Sequence, residues 1–145
     1  MTVFLDTSVL IAAFLSPEGG SAKILELCEA GLIKVFISKD VIREIEEVST
    51  RKFPELKEHF RELLQVAKIK VLQKIKPSTL KLARKWISHQ ADAKILAAAK
   101  QIPQVILVTL DIRHFIKDIN VRKKSGIKIV TPADFLQNFV RSLYS

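Results

Sequence analysis

Five short apolar runs divide the chain: TVFLD at 2–6, KVFI at 34–37, KIKVL at 68–72, QVILVT at 104–109 and IKIV at 127–130. Each has the length of a strand, and a helix-length stretch separates each from the next. This alternation is restrictive. Strands joined through helices pair in parallel, and a parallel sheet needs both faces covered. The expected fold is therefore α/β, a three-layer α/β/α sandwich. The continuous VILV suits a buried central strand. At 145 residues and 48% hydrophobic side chains, the chain suits one core and one domain over 1–145.

Helices are expected from Thr7 or Ser8, over about 21–30 with Gly31 closing it, after Ser38, over 54–66, after Pro77, over 91–101, and after Thr131-Pro132. Ser38, Ser78 and Thr131 are the expected N-caps, and Pro132 fits a first helical position. The stretch 53–87 has the least strand character, so a helical projection beside the sheet is expected there. No apolar run approaches the roughly 18–20 residues of a membrane span. The N-terminus lacks a basic segment followed by an apolar signal core, so a cytoplasmic protein without membrane partners is expected. A single cysteine, Cys28, excludes an internal disulfide and a cysteine metal cluster, and reads as a small buried hydrophobe.

The net charge of +9 is unevenly placed. Residues 1–62 hold 8 basic and 11 acidic side chains, 63–91 hold 7 and none, and 92–145 hold 9 and 4. A cationic second half favours a polyanionic partner such as RNA, because bound phosphates release their counterions. Candidates for tracking a backbone are Lys68, Lys70, Lys74, Lys76, Lys81, Arg84 and Lys85. A second group comprises Arg113, His114, Arg122, Lys123 and Lys124. Phe115 and Trp86 are the aromatic rings nearest these cations, and both read as core.

Against this basic background, acids fall at selected places. Asp6 follows VFL and Asp111 follows VILVTL, each at the C-terminal end of a strand. Ligands of open parallel sheets bind at those ends, where strand order reverses. In SKDVIREIEEVS, a helix with Val41, Ile42, Ile45 and Val48 on its apolar face turns about 100° per residue, placing Glu44 about 90°, Glu46 about 110° and Glu47 about 150° from that face. Glu44 is thus the acid nearest the buried side. Asp92 opens the alanine-rich helix ADAKILAAAK, whose small side chains permit a close approach to the sheet. Each acid alone has a plain reading as a cap or a solvated charge. Four together need a cation. Hard divalent ions such as Mg²⁺ or Mn²⁺, with oxygen ligands, match that need.

The ordered segments FLDTSVLI, SKDVIREIEEV, ADAKILAAA and ILVTLDIRHF resemble the signature of PIN-domain ribonucleases, a family that includes the VapC-type toxins of toxin–antitoxin pairs. The resemblance spans about residues 2–136. It implies a five-stranded parallel sheet of order 3-2-1-4-5 and a Mg²⁺- or Mn²⁺-dependent endoribonuclease. It further implies a homodimer and, for a toxin, a cognate antitoxin protein. Asp6, Glu44, Asp92 and Asp111 match the acidic quartet that holds metal and carries catalysis. Thr7 or Ser8, and Thr109, match the hydroxyls that support it. Hydrolysis would proceed by attack of a metal-activated water, leaving a 5′-phosphate. Many members carry a further acid where this chain has His114, which leaves open whether one metal is held or two. His114 reads as a loop residue at the pocket rim, with assistance to a leaving group or contact with phosphate as the alternative. His59 and His89 carry no argument.

Other functions fit less well. A non-catalytic RNA- or protein-binding module of the same fold is the main alternative. A haloacid-dehalogenase phosphatase needs a second Asp two residues after Asp6, where Ser8 stands. A receiver domain needs paired acids before its acceptor. No phosphate-binding glycine loop and no G-x-S-x-G elbow is present.

Overall fold

The computed structural model describes residues 1–145. Strands β1 (Thr2–Leu5), β2 (Lys34–Ser38), β3 (Lys70–Leu72), β4 (Ile106–Val108) and β5 (Lys128–Val130) form one sheet of order β3-β2-β1-β4-β5. Every pairing is parallel: Val3 faces Val35 on β2 and Ile106 on β4. The three-layer fold and strand order implied by the resemblance are both observed. β1 is the central strand, and Val3, Phe4 and Leu5 are fully buried. From β1 the chain moves outward to β2 and β3, then crosses back to β4 and β5. The gap between the ends of β1 and β4 is therefore the switch point of the sheet.

Eight helices cover the sheet: α1 (Thr7–Leu15), α2 (Gly20–Glu29), α3 (Lys39–Arg51), α4 (Leu56–Val66), α5 (Pro77–Trp86), α6 (Gln90–Lys100), α7 (Ile119–Ser125) and α8 (Pro132–Leu143). Helices α1–α4 and α8 pack among themselves, as do α5, α6 and α7. The two groups match the two faces demanded by right-handed crossovers. Residues 53–87 are helix-rich as expected, but they form no free-standing projection. Leu56, Phe60 and Ala83 are buried, so α4 and α5 belong to the two layers on either side of the edge strand β3.

Local signals account for most boundaries. Ser38 and Thr131 cap α3 and α8 through their hydroxyls, and Pro132 opens α8. Gly31 ends α2 at φ +77°, a conformation in which a Cβ would be strained. Ser78 is not the cap of α5. Lys76 holds that place, followed by Pro77, whose missing N–H needs no acceptor there. The Lys76 amide instead donates to Gln101 Oε1 at 2.6 Å. Two elements after β4 carry no periodic signal in the sequence: a π-helical turn (Ile112–Ile116) and the short helix α7, closed by Gly126 at φ +70°. Cys28 and Phe115 are buried and Trp86 packs against the core, as their types suggest. No helix is long and apolar enough to cross a membrane.

Candidate metal centre

Asp6 follows β1, Asp111 follows β4, Asp92 lies in the first turn of α6 and Glu44 in the middle of α3. Asp6 leaves β1, its N–H held by the Val108 carbonyl of β4 at 3.1 Å. Its side chain caps α1, Oδ1 accepting the Thr7 N–H at 2.7 Å. Oδ2 accepts from Thr109 Oγ1 at 2.7 Å and from Ser8 Oγ at 3.2 Å. The buried Thr109 hydroxyl in turn accepts the Asp111 N–H at 3.0 Å, and Ser8 Oγ accepts the Leu110 N–H at 3.2 Å. Two hydroxyls thus lace the end of β1 to the segment leaving β4.

Asp111 caps the π-helical turn. Its Oδ1 accepts the His114 N–H at 3.0 Å, and its Oδ2 lies 3.0 Å from His114 Nδ1. Asp92 sits in the first turn of α6, where its Oδ2 lies 3.3 Å from both His114 Nδ1 and His89 Nδ1. Neither contact has hydrogen-bonding geometry, so this oxygen is buried without a partner. Glu44 is half-buried on α3, whereas Glu46 and Glu47 are exposed, which is the order the helical angles predict. Thr7 Oγ1 is likewise buried and makes no hydrogen bond. It lies near enough to Glu44 to favour the ionised carboxylate.

Of the four acids, Asp92 and Asp111 place ligand atoms within 4.8 Å of each other and of His114; Asp6 and Glu44 lie outside that group and are linked to it by charge. Burial raises the pKa of Asp6 above the ordinary carboxylate value. Hydrogen bonds from Thr109, Thr7 N–H and Ser8 oppose the rise, and the charge of Asp111 adds to it. Glu44 is also raised, chiefly by burial, then by the charges of Asp6, Asp40 and Asp92. Burial raises Asp92 as well; Asp111 and Asp6 push in the same direction, while His89 and His114 oppose them. Each of the four therefore lies within electrostatic reach of others from distant parts of the chain.

The histidines differ from expectation. His114 is not simply a rim residue: Asp92, Asp111 and His114 offer ligand atoms all within 4.8 Å of one another. His89 stacks on His114 with ring centroids 5.5 Å apart and planes 14° from parallel. This stack is absent from any local pattern, because the two residues meet only when α6 docks beside the π-helical turn. Among the basic candidates, Lys68, Lys70, Lys74, Lys76, Lys81, Arg84, Lys85, Arg113, Lys123 and Lys124 are exposed. Arg122 is half-buried, and its Nε lies inside without a partner.

The donor set fits a small divalent cation. Carboxylate oxygens dominate, an imidazole nitrogen adjoins two of them, and the unpartnered Asp92 oxygen is one a cation would satisfy.

A family model described as PIN domain matches residues 2–113. Solved structures share the fold. VapBC2 of Rickettsia felis, bound to a promoter DNA fragment, matches with TM-score 0.66 and 18% identity, covering 90% of this chain and 98% of that one. The DNA-bound VapBC of Salmonella typhimurium matches with TM-score 0.67 and 17% identity, covering 91% and 98%. A domain of a functionally unknown protein from Methanocaldococcus jannaschii matches with TM-score 0.53 and 26% identity over 88% of both chains. No curated protein matches the sequence at a significant level.

Proposed function

The chain belongs to the PIN-domain family, and from that premise we propose that it is a Mg²⁺- or Mn²⁺-dependent endoribonuclease, the toxin of a toxin–antitoxin pair. One observation carries the catalytic part: Asp92, Asp111 and His114 bring ligand atoms within 4.8 Å of one another, and the Thr109 hydroxyl ties the Asp6 carboxylate to the Asp111 amide beside them. Residues accumulate like charge at the cost of raised pKa values where a cation is to be received.

In this reading Asp6, Asp92 and Asp111 hold the cation, and Glu44 ligates directly or through water. A divalent ion so held lowers the pKa of a water and offsets negative charge on the scissile phosphate. Thr109 and Ser8 fix the Asp6 carboxylate in one orientation through their O–H groups. Thr7 fixes it through its N–H and turns its own hydroxyl toward Glu44. His114 steadies the Asp111 carboxylate through its backbone N–H and its ring nitrogen, which leaves the Asp92 oxygen for the cation. The exposed Lys81, Arg84, Lys85, Arg113, Lys123 and Lys124 attract the RNA backbone, and the half-buried Arg122 joins them at the edge of α7. In-line attack by a water at this centre would leave a 5′-phosphate and a 3′-hydroxyl.

The pairing with an antitoxin is supported by the resemblance of the sequence motifs to VapC-type toxins and by the shared fold with the VapBC structures. A homodimer acting in the cytoplasm completes the proposal. The test is RNA cleavage by the purified chain with Mg²⁺ or Mn²⁺. Activity should be lost with EDTA and fall on the order of 10²–10³-fold in Asp92→Asn, with 5′-phosphates at the cut ends of wild-type products. Cleavage at the wild-type rate under both treatments overturns the mechanism. RNA binding without any cleavage returns the chain to a non-catalytic binding module.

A further inference from the structure

Beside the acids, on the β2–β3 side, lies a crevice of about 290 Å³. It borders the acidic centre along α3, where Asp40, part of its lining, stands one turn before Glu44 on the same helix face. Lys94 enters the crevice from α6, on a different face of that helix from Asp92. Lys94 Nζ lies 4.0 Å from Asp40 Oδ1, and Arg43 Nη1 lies 3.5 Å from the same oxygen. Asp40 is mostly buried, with 18% of its side chain exposed, while Arg43 and Lys94 are 64% and 40% exposed. A shielded carboxylate thus holds two accessible cations at the mouth of the crevice.

The opposite wall has another character. Leu72 at the end of β3, Ile75 in the following loop and Leu80 on α5 each pack part of their side chains on the core and turn the rest into the crevice. Gln73 lies between them, its amide nitrogen tethered to the Val71 carbonyl at 3.3 Å. An apolar wall, one amide edge and two paired cations are three separate chemistries. A nucleotide presents all three complements: a flat base with a hydrogen-bonding edge, and phosphate on either side.

We infer that this crevice seats one nucleotide of single-stranded RNA next to the scissile phosphate, its base against Leu72, Ile75 and Leu80 and its phosphates on Arg43 and Lys94. The inference rests on the ribonuclease reading and extends it, because it names a place where the substrate is selected as well as cut. Gln73 is the group that meets the base edge, so it contributes preference among bases. Arg43 and Lys94 meet the backbone, so they contribute affinity for every sequence alike.

The experiment is fluorescence anisotropy with labelled twelve-residue homopolymer RNAs, in Ca²⁺ to suppress turnover, across a salt series. Arg43→Ala/Lys94→Ala should weaken binding roughly tenfold for all four homopolymers and should flatten the salt dependence by about 0.7 in log–log slope for each phosphate no longer neutralised. Gln73→Ala should keep the affinity and level the differences between bases. Arg51→Ala/Lys52→Ala, which removes the same charge at the far end of α3, is the control and should change little. Mn²⁺ binding by calorimetry should be unaltered in every variant. If Arg43→Ala/Lys94→Ala weakens RNA binding no more than the control does, the crevice is not a nucleotide seat and the ribonuclease reading stands. If the wild-type protein binds Mn²⁺ but no RNA, both fall.

Discussion

Thr109 and Asp6 are 103 residues apart in sequence, yet the Thr109 hydroxyl donates to the Asp6 carboxylate at 2.7 Å. The same hydroxyl accepts the N–H of Asp111 at 3.0 Å. One side chain therefore fixes the spacing of two acids that end neighbouring strands. Removing it leaves the Asp6 oxygen and the Asp111 amide each short of a partner. Thr109→Val is expected to lower stability by about 1–3 kcal/mol, the cost of leaving buried polar groups unpaired. Thr109→Ser, which keeps the hydroxyl, should recover most of that loss. Thermal denaturation of the three proteins measures it.

The acids should oppose folding when no cation is present. Asp92 is held above its ordinary pKa by burial and by Asp111, so its charge is unfavourable where it stands. Asp92→Asn removes that charge and is expected to raise the melting temperature of EDTA-treated protein. The same change should reduce cleavage on the order of 10²–10³-fold, the scale of losing one electrostatic stabiliser at a reacting centre. A variant that loses activity and stability together would contradict the assignment.

Stability should also depend on pH in a direction set by these shifts. Asp6, Glu44 and Asp92 all have folded pKa values raised above the ordinary 3.8, 4.5 and 3.8. Between the ordinary and the raised values the folded chain binds more protons than the unfolded chain, so stability falls as pH rises through that window. Without metal, the melting temperature is expected to be higher in mildly acidic buffer than at pH 7.5. Each kcal/mol lost corresponds to roughly 2–4 °C in a chain of this size. Added Mn²⁺ should cancel the decline by binding the folded state alone.

His114 offers a nitrogen among oxygens. Imidazole favours transition metals over Mg²⁺. His114→Ala is therefore expected to weaken Mn²⁺ binding more than Mg²⁺ binding, as read by calorimetry at one pH. Equal effects on both ions would show that His114 steadies the carboxylates without ligating.

The 35 buried apolar residues form one connected cluster reaching from Val3 to Phe135. We propose that residues 1–145 fold as one domain, and a single cooperative transition in urea by fluorescence and by circular dichroism is the expected result. Leu96→Ala, at a fully buried position of α6, should shift that transition by about 2–5 kcal/mol without splitting it.

Much of the fold is written in local pattern. Apolar runs such as VFL and VILV have few alternatives to buried parallel strands, and Ser38, Thr131 and Pro132 mark helix starts by chemistry that acts within one turn. Glu44 can be picked from its neighbours because helical angle alone separates it from Glu46 and Glu47. Other features have no local source. The lysine-rich α7 lacks an apolar stripe, and only Gly126 hints at its end. The π-helical turn is set by the bonds Asp111 makes to His114. Ser78 is a reasonable cap by residue type, but Pro77 opens the helix and puts the cap at Lys76, two positions earlier. His89 gains meaning only through the stack with His114, a relationship between distant segments that a linear reading does not contain.

The tie between Thr109 and Asp6 has a temporal side. Asp6 is made 103 residues before Thr109. Until β4 and the segment after it emerge, β1 has only β2 beside it, and the Asp6 carboxylate lacks the Thr109 hydroxyl. The cluster of acids therefore assembles late, once the second half of the sheet has been laid down against the first.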